Sequence, residues 1–351
     1  MNIKEAKASL DKIIKKSRTP QYKPIQIAEI LYHHRISSGK LNLLNLDDYR
    51  NPSKKWRDDI SLLLLGQICT SSAKFQDNLF EANAIPPQVL QILGDENVKT
   101  NGAVEAYIYD RFSNKHAQLA TALDYCRNST AADFKVLDLI NSFRVESGLK
   151  RSIDKIYEIV VFAMFSTLVS ALELKVEISI NPNKHELLTE FSDFAKMIMR
   201  IDAQDSKSIQ DAKVYRLGAT NAADRGLDMY SNWGPAVQIK HLALSEELAE
   251  GIVDGVSSDK IVIVCKEAEE KLIVSLLNQI GWRNRIQSIV TEKNLIDWYE
   301  KALRGKYSNI LGDTLLHTIC EEIANEFPSL RGIPDDLKAR KYEMIKNEFW
   351  S

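Results

Sequence analysis

The stretch from Gly226 to His241 combines side chains that could carry out metal-assisted hydrolysis. Gln238 and Lys240 lie two residues apart in an apolar stretch, and Asp228 precedes them across the turn signal at residues 232–235. Successive side chains of a strand point to opposite faces, so Gln238 and Lys240 should leave the same face. A tight turn would bring Asp228 on the partner strand close to this pair. A carboxylate, an amide oxygen and an ammonium group would then converge.

These three groups are suited to the hydrolysis of a phosphodiester. Mg²⁺ prefers oxygen ligands and keeps several waters, so Asp228, Gln238 and the backbone carbonyl of Ile239 could hold it. The metal would polarise the phosphate and activate a water molecule. Lys240 would orient or deprotonate that water. The sequence therefore predicts Asp228, Gln238 and Lys240 as catalytic residues of a Mg²⁺ site.

An acid or glutamine two positions before a lysine is a common pattern, so its specificity must come from the context. The same spacing occurs at Glu5-Ala6-Lys7, Glu173-Leu174-Lys175, Asp211-Ala212-Lys213 and Asp336-Leu337-Lys338. Glu5 and Asp336 fall in predicted helices, where residues two apart do not share a face. The segment at residues 173–175 begins a predicted strand, but no carboxylate-bearing strand is predicted to pair with it. The alternative that Gln238 and Lys240 simply face solvent stays open.

The elements that would position these residues change in character near residue 174. The first half of the chain predicts helix after helix, whereas strands and helices alternate in the second half. Strands are predicted at residues 174–180, 213–217, 226–231, 236–242, 261–265 and 286–290, and helices at residues 184–200, 245–252, 268–280 and 293–304. Three antiparallel strands followed by a helical crossover predict a mixed α/β sheet, or α+β fold.

The length and composition agree with a globular protein of two or three domains. The chain has 351 residues, 44% hydrophobic and 27% charged, with a net charge of −2. We predict a helical region for DNA recognition and dimerisation over residues 1–172, a catalytic core over 173–306 and a C-terminal helical extension over 307–351. The longest apolar run, residues 159–172, is too short for a bilayer, and the N-terminus lacks a signal segment, which favours the cytoplasm.

Charge is unevenly distributed along the chain. Residues 1–60 hold 13 Lys and Arg against 7 Asp and Glu, and residues 283–306 form a second basic stretch. Basic patches can bind phosphates whatever the net charge is. The predicted DNA contacts are Lys54, Lys55, Arg57, Arg283, Asn284 and Arg285. The sequence alone does not distinguish which of these residues contact bases and which contact phosphates.

The hairpin from Asp228 to Lys240 within this order of elements resembles the PD-(D/E)XK nuclease superfamily, in its variant with Gln at the middle acidic position. The whole chain resembles, more narrowly, the HaeII family of type II restriction endonucleases. The resemblance is carried by Asp224–Leu242, Gly281–Ile286, Asp297–Leu303 and Tyr22–Glu29. It implies a PD-(D/E)XK nuclease-like core and Mg²⁺-dependent cleavage of duplex DNA within the palindrome RGCGCY, leaving a 3′ overhang.

The resemblance also implies roles for single residues. Asp228 matches the superfamily's metal-binding aspartate and Lys240 its catalytic lysine, while Gln238 replaces the usual acid with a neutral, weaker ligand. Many relatives add a glutamate from the preceding core helix, for which Glu190, or Glu186, is the candidate here.

Two further expectations concern neighbouring residues. Asp224 is an alternative to Asp228, although it precedes the predicted strand. His241 leaves the face opposite to Lys240 and is expected to pack rather than to catalyse.

Cleavage of both strands of a palindrome favours a homodimer. A DNA methyltransferase would be its functional companion rather than a stable subunit. The alternative from another functional class is a non-catalytic, sequence-specific DNA-binding protein.

Overall fold

Helices make up most of the computed structural model, which describes residues 1–17, 19–68, 79–80, 84–146, 148–217, 227–278 and 285–351. The helices labelled here are α1 (Ile3–Lys16), α2 (Tyr22–Ile36), α3 (Leu46–Arg50), α4 (Pro52–Leu65), α5 (Pro87–Lys99), α6 (Ala103–Asn128), α7 (Val136–Val145), α8 (Ile153–Ala171), α9 (His185–Glu190), α10 (Ser192–Phe194), α11 (Glu246–Gly255), α12 (Glu270–Leu277), α13 (Glu292–Arg304), α14 (Ser308–Glu326) and α15 (Asp335–Ala339). None of the helices in these ranges is both long and apolar enough to cross a membrane.

The chain divides into two compact units. The helical unit comprises Met1–Tyr125, Leu139–Ile153 and Ile323–Ser351, and the sheet unit comprises Cys126–Asp138 and Asp154–Glu322. Nearly all of α8 therefore belongs with the sheet, although the sequence analysis places it in the helical region that ends at residue 172. The predicted boundaries at residues 172 and 306 stay predictions about functional regions.

The helical unit joins distant parts of the sequence in one apolar core. Helix α1 begins with a capping box at Asn2. The ammonium of Lys7 in this helix donates a hydrogen bond to the carbonyl of Phe349, near the other end of the sequence, with an Nζ–O distance of 2.5 Å. The guanidinium of Arg340 pairs with the buried carboxylate of Glu29 at 2.7 Å. The first and last segments of the chain thus contact each other within this unit.

The sheet unit contains a five-stranded mixed sheet, in which the strands lie side by side in their order along the chain. Its strands are β3 (Val214–Arg216), β4 (Met229–Ser231), β5 (Ala236–Ala243), β6 (Ile261–Glu267) and β7 (Ile286–Thr291). The pairs β3–β4 and β4–β5 are antiparallel, whereas β5–β6 and β6–β7 are parallel. Helix α11 provides the crossover between β5 and β6. The predicted mixed α/β fold with a large helical N-terminal region is confirmed.

Apolar side chains bury both faces of this sheet. On one face, Ala236 and Ile263 belong to a cluster with Ile252 of α11. Ile239, whose position in β5 points to the other face, is also buried. The phenol of Tyr299 in α13 donates to the carbonyl of Val160 in α8 at 2.8 Å, which fixes these two helices to each other.

A separate two-stranded sheet lies in the segment between α8 and β3. Strands β1 (Lys175–Ser179) and β2 (Lys207–Asp211) pair antiparallel. The sequence analysis predicts β1 but not β2. The helix predicted over residues 184–200 is interrupted in the structure: α9 and α10 are followed by a π-helix over Ala195–Met199.

Candidate active site

The β4–β5 hairpin brings Asp228 and Gln238 together, as the sequence predicts. Met229 pairs with Val237 in the antiparallel register, so Asp228 stands immediately before β4 and next to the middle of β5. The side-chain Nε2 of Gln238 donates a hydrogen bond to Oδ2 of Asp228. The backbone N–H of Ile239 donates to the same oxygen at 2.7 Å. Two consecutive residues of β5 therefore hold this carboxylate.

The main chain of Ile239 is directed towards the same place. In a strand, the N–H and C=O groups of one residue point to the same side, and the N–H of Ile239 reaches Asp228. Its carbonyl oxygen consequently faces the edge occupied by Asp228. The backbone of Asp228 is fixed as well, because its carbonyl accepts the N–H of Leu217 at 3.0 Å.

Gln238 and Lys240 leave one face of β5 and line a cavity of about 470 Å³. Helix α11 also lines this cavity, with residues that include Gly251 and Gly255. His241 lies on the other face, and its Nδ1 is 2.5 Å from the carboxylate of Asp154 in α8. A packing role for His241 stays a prediction.

The first turns of α8 supply charged groups that the sequence analysis does not include in the site. The ammonium of Lys155 contacts both carboxylate oxygens of Glu158, at 2.8 and 2.6 Å. Arg216 of β3 lies 3.9 Å from the same carboxylate and pairs with Glu322 at 2.8 Å. Glu158 is 5% exposed, so a buried acid is held between two cations.

The pKa values of the partly buried Asp228 and the buried Glu158 are both raised. Burial raises the pKa of Asp228, while the hydrogen bond from Ile239 and the charge of Lys240 oppose the increase. Burial raises the pKa of Glu158 to about 7, against the contact with Lys155, and the negative charge of Asp228 contributes to the increase. A cation bound near both acids would favour their ionised forms.

The oxygen donors at this site fit Mg²⁺, although they include few acids. No group of three or more His, Cys, Asp or Glu side chains in the described parts of the chain is arranged to hold a metal. The available donors are the carboxylates of Asp228 and Glu158, the side chain of Gln238 and the carbonyl of Ile239. Mg²⁺ is commonly bound through one or two carboxylates and several waters, so this set is sufficient.

The other predicted acids lie apart from the hairpin. Glu190 is the last residue of α9 and is exposed, as is Glu186. Within the described ranges, no hydrogen bond or ion pair joins either of them to Asp228, and Asp224 falls outside these ranges. The role of Glu190 stays a prediction. The helix acids that interact with Asp228 come from α8: Asp154 contributes to the raised pKa of Asp228, and Asp228 contributes to the raised pKa of Glu158.

The rival segment Glu173-Leu174-Lys175 requires a correction. No carboxylate-bearing strand was expected beside it, but β2 pairs with β1, and Asp211 lies 2.5 Å from the ammonium of Lys175. Both side chains of this pair are more than half exposed to solvent. Such exposed ion pairs are common on protein surfaces and are not desolvated, so they are less suited to catalysis.

The predicted DNA contacts on α4 differ in their exposure. Lys55 is exposed and Lys54 is partly exposed, with its ammonium 3.2 Å from the Asn51 side chain. Arg57 is fully buried and contacts Gln26 and Asp58. The structure therefore gives Arg57 a position in the core of the helical unit.

The remaining predicted contacts precede β7. Arg285 donates hydrogen bonds to the carbonyls of Ser258 and Val253 at 2.6 and 2.8 Å, and to that of Val256. These bonds fix the C-terminal end of α11. Arg283 and Asn284 lie outside the described residues.

Comparison with known proteins extends the likeness to nearly the whole chain. The sequence pattern of the HaeII restriction endonuclease family matches residues 6–342. The chain is 56% identical over 328 residues to the type II restriction enzyme HaeII of Haemophilus aegyptius, covering 93% of each chain. It is 55% identical over 326 residues to the type II restriction enzyme NgoBI of Neisseria gonorrhoeae, covering 93% of this chain and 92% of that enzyme. No solved structure matches it. On this similarity along its length, the chain belongs to the HaeII restriction endonuclease family.

Proposed function

We propose that this type II restriction endonuclease hydrolyses phosphodiesters of double-stranded DNA within RGCGCY, in a reaction that requires Mg²⁺. The observation that carries this proposal is the position of Asp228, whose carboxylate is held by Gln238 and Ile239 on the strand that also carries Lys240. The family membership supports the activity, and the arrangement of the hairpin supports the PD-(D/E)XK type of site.

The proposed metal ligands are the oxygens that face this edge of the sheet. They are the carboxylate of Asp228, the side chain of Gln238 and the carbonyl of Ile239, with Glu158 of α8 as a further acid. Bound Mg²⁺ would neutralise charge on the phosphate and lower the pKa of a coordinated water. Burial of Asp228 and Glu158 strengthens their attraction for a cation, because charges interact more strongly away from water.

Lys240 is the proposed partner of the attacking water. Its side chain lines the cavity beside Gln238, and its positive charge acts on Asp228. In that position the amine can orient a water molecule for attack on phosphorus, or accept its proton when uncharged. The ammonium form would also stabilise the negative charge that develops on the phosphate.

The partners proposed for this chain follow from that substrate. Lys54 and Lys55, with Arg283-Asn284, are the proposed contacts to DNA, whereas Arg57 and Arg285 have the structural contacts described above. A homodimer would place one site on each strand of the palindrome. We propose a cytoplasmic location, and a methyltransferase of the same specificity as the companion that protects host DNA.

Digestion of a plasmid containing one RGCGCY site and of a site-free plasmid tests the function. With Mg²⁺ we expect linear DNA from the first plasmid only, with ends that map to RGCGCY and carry a 3′ overhang. Cleavage in excess EDTA would contradict the metal requirement. A gel shift on DNA containing the site, without cleavage under any metal condition, would instead support the non-catalytic DNA-binding protein.

Alanine variants test the assignment of the site. We expect Asp228→Ala and Lys240→Ala each to lower the single-turnover cleavage rate by at least about 1,000-fold, while DNA binding is largely retained. Lys260→Ala is the matched control, because Lys260 is exposed at the opposite end of the parallel strands. Near wild-type cleavage by either site variant would place the active site elsewhere, with Lys175 tested next.

A further inference from the structure

One segment of the sheet unit exposes an unusual amount of apolar surface. Residues 172–211, here called the ribbon–helix segment, contain nine of the 27 exposed large apolar side chains among the described residues, in about a ninth of the chain. Met197 is 80% exposed, and Ile198 is 67% exposed. Exposed apolar side chains are therefore concentrated in this segment of the sheet unit.

The apolar residues of the helical part lie on two different sides. Leu188 and Ala195 are buried in a small cluster with Ile201, which accounts for the inner side. On the outer side, exposed apolar residues recur at intervals of four, three and four positions: Leu187, Phe191, Phe194 and Ile198. Such spacing is typical of the packing face of a regular helix, and here it runs through α9, α10 and the π-helix that follows them. The helical part therefore has a second packing face with no partner among the described residues.

The strands of this segment are similarly incomplete. Strands β1 and β2 form a sheet of only two strands, and most of their residues are exposed on both faces. An isolated two-stranded ribbon is only marginally stable in water, and it needs further strands or a packed face. The ion pair of Glu177 with Lys207, at 3.0 Å, joins the strands but buries little surface. This ribbon, like the outer helix face, has the properties of an interface element.

The charge of the segment argues against DNA as the occupant of this surface. Residues 172–211 contain five Lys and Arg against eight Asp and Glu, a net charge of −3. A polyanion is repelled by such a surface, since DNA binding depends on neutralising phosphates with cations. An apolar surface with charges of both signs at its edges is typical of protein–protein contacts.

The exposed apolar area matches what a dimer requires. The nine large side chains, about half exposed, present on the order of 900 Å² in total. Ile178 and Ile209 lie on opposite faces of the ribbon, because Ile178 pairs with Ser208 and Ile209 with Glu177. A stable interface buries about 800 Å² on each partner, whereas the largest apolar patch of a typical monomer is about 300–600 Å². The partner that the proposed function calls for is a second copy, because two sites are needed for a palindrome.

We propose that the ribbon–helix segment, rather than the region of residues 1–172 for which the sequence predicts dimerisation, is the homodimer interface. The outer helix face and one face of the β1–β2 ribbon would pack against the same segment of a second copy about a twofold axis. The inference rests on the proposed function for its choice of partner. Dimer formation is measured without DNA or metal. A protein that does not dimerise can therefore be distinguished from one that dimerises but does not cleave DNA.

Sedimentation of the full chain in the absence of DNA tests the interface. We expect a species of about 80 kDa, twice the 39.8 kDa of the chain. Phe191→Glu and Ile198→Glu should each weaken the dimer by about 30-fold or more, because each buries a charge at the centre of the contact. Ile310→Glu is the matched control, since Ile310 is 58% exposed on α14, and it should leave the dimer intact.

Hydrogen exchange provides a second measurement that needs no variant. Amides of residues 172–211 should become more protected as the wild-type concentration rises through the dimer dissociation constant, while those of α14 stay unchanged. A wild-type protein that is monomeric at all concentrations, or dimers of undiminished stability in both folded glutamate variants, would overturn the proposal. A dimer that cleaves no DNA would leave the interface standing and contradict the function.

Discussion

At the scale of single residues, the position of Asp228 depends on its neighbours in β5. One oxygen of its carboxylate accepts hydrogen bonds from both Gln238 and Ile239, so the orientation of this acid is set before any cation arrives. Gln238 is 3% exposed and donates through its nitrogen. A glutamine in this place therefore holds Asp228 without adding a second negative charge.

Replacement of Gln238 separates a role in metal binding from a role in spacing. We expect Gln238→Glu to keep substantial cleavage with a changed half-saturating Mg²⁺ concentration, because a carboxylate is a stronger ligand. Gln238→Leu should lose most of the activity. Without metal, Gln238→Glu brings two buried acids together, so its melting temperature should fall below that of the wild type and recover with Mg²⁺.

Single-turnover rates across Mg²⁺ concentrations, with melting curves at each concentration, measure these effects. If both variants have the wild-type Mg²⁺ midpoint and cleave equally well, Gln238 only spaces Lys240 along the strand.

Glu158 and Glu190 offer a direct comparison of two helix acids. We expect Glu158→Gln to lower cleavage by about 100-fold or more, because it removes a buried carboxylate that interacts with the charge of Asp228. Glu190→Gln changes an exposed acid at the end of α9 and should have a much smaller effect. Cleavage rates at saturating Mg²⁺ decide between them. If cleavage falls severely in Glu190→Gln but not in Glu158→Gln, the acid that a helix contributes to the site is Glu190 of α9.

At the scale of elements, α8 combines an apolar body with a charged first turn. Its Asp154 binds His241 of β5, its Lys155 binds Glu158, and its carbonyl at Val160 accepts from α13. The same helix thus packs on the sheet and carries charges to one end of β5. The contact between His241 and Asp154 lowers the pKa of Asp154, so this acid stays ionised beside Lys240.

The pair of Lys155 and Glu158 predicts a pH dependence. The pKa of Glu158 is about 7, so protons compete with Mg²⁺ below that pH and cleavage at limiting Mg²⁺ should fall. Lys155 opposes the increase in this pKa, so Lys155→Met should raise it further and shift the fall to higher pH. We expect the variant to be about 3–10-fold slower than the wild type at pH 6.5 and close to it at pH 8.5.

Single-turnover rates between pH 6 and 9, at a fixed limiting Mg²⁺ concentration, test this expectation. Lys260→Met is the control and should keep the wild-type profile, since this side chain is exposed away from the cavity. Superimposable profiles for Lys155→Met and the wild type would mean that Glu158 does not titrate in the reaction.

The sequence was sufficient to predict elements with a clear local pattern. The alternation in β5 and the turn at residues 232–235 predicted the hairpin that joins Asp228 to Gln238. Strand β2 has only one apolar residue, Ile209, and its exposure on both sides leaves no alternation to recognise. Such a strand is defined by its pairing with β1, which is distant in sequence.

Long-range contacts also explain the incomplete prediction of the site. Glu158 lies 70 residues before Asp228, and no local pattern relates the two. A charged residue within the apolar α8 was the available signal. Arg57 shows the converse: a basic residue beside lysines indicates DNA contact in the sequence, but in the structure it is buried and contacts Gln26 of α2.

At the scale of the whole molecule, buried titratable groups should limit stability in acid. His116 in α6 is 5% exposed, and burial lowers its pKa to about 4, with the charge of Lys115 acting in the same direction. An unfolded chain protonates this histidine at its ordinary value of about 6.5. Stability is therefore unaffected above that pH and is lost as the pH falls from 6.5 towards 4, by up to about 3 kcal/mol.

His116→Leu removes this titration and tests its contribution. When the pH is lowered from 7.5 to 5, the unfolding free energy of the wild type should fall by more than that of the variant. This holds whatever the difference between the two proteins is at pH 7.5. Urea denaturation at both pH values measures it. His317→Leu, at an exposed histidine, should show no such shift. An equal difference at both pH values for His116→Leu would contradict the buried, neutral histidine.

The meeting of the first and last segments has a consequence for biosynthesis. Lys7 contacts Phe349, and Glu29 depends on Arg340 for its buried counter-charge, so a growing chain cannot complete the helical unit until residues 323–351 have been made. Domains that are continuous in sequence can fold during synthesis, whereas this one must wait for its final segment. Ribosome-bound chains stalled before residue 340 should therefore be sensitive to protease in α1 and α2. For an enzyme that attacks DNA, this order of events delays the folded helical unit until residues 323–351 have been synthesised.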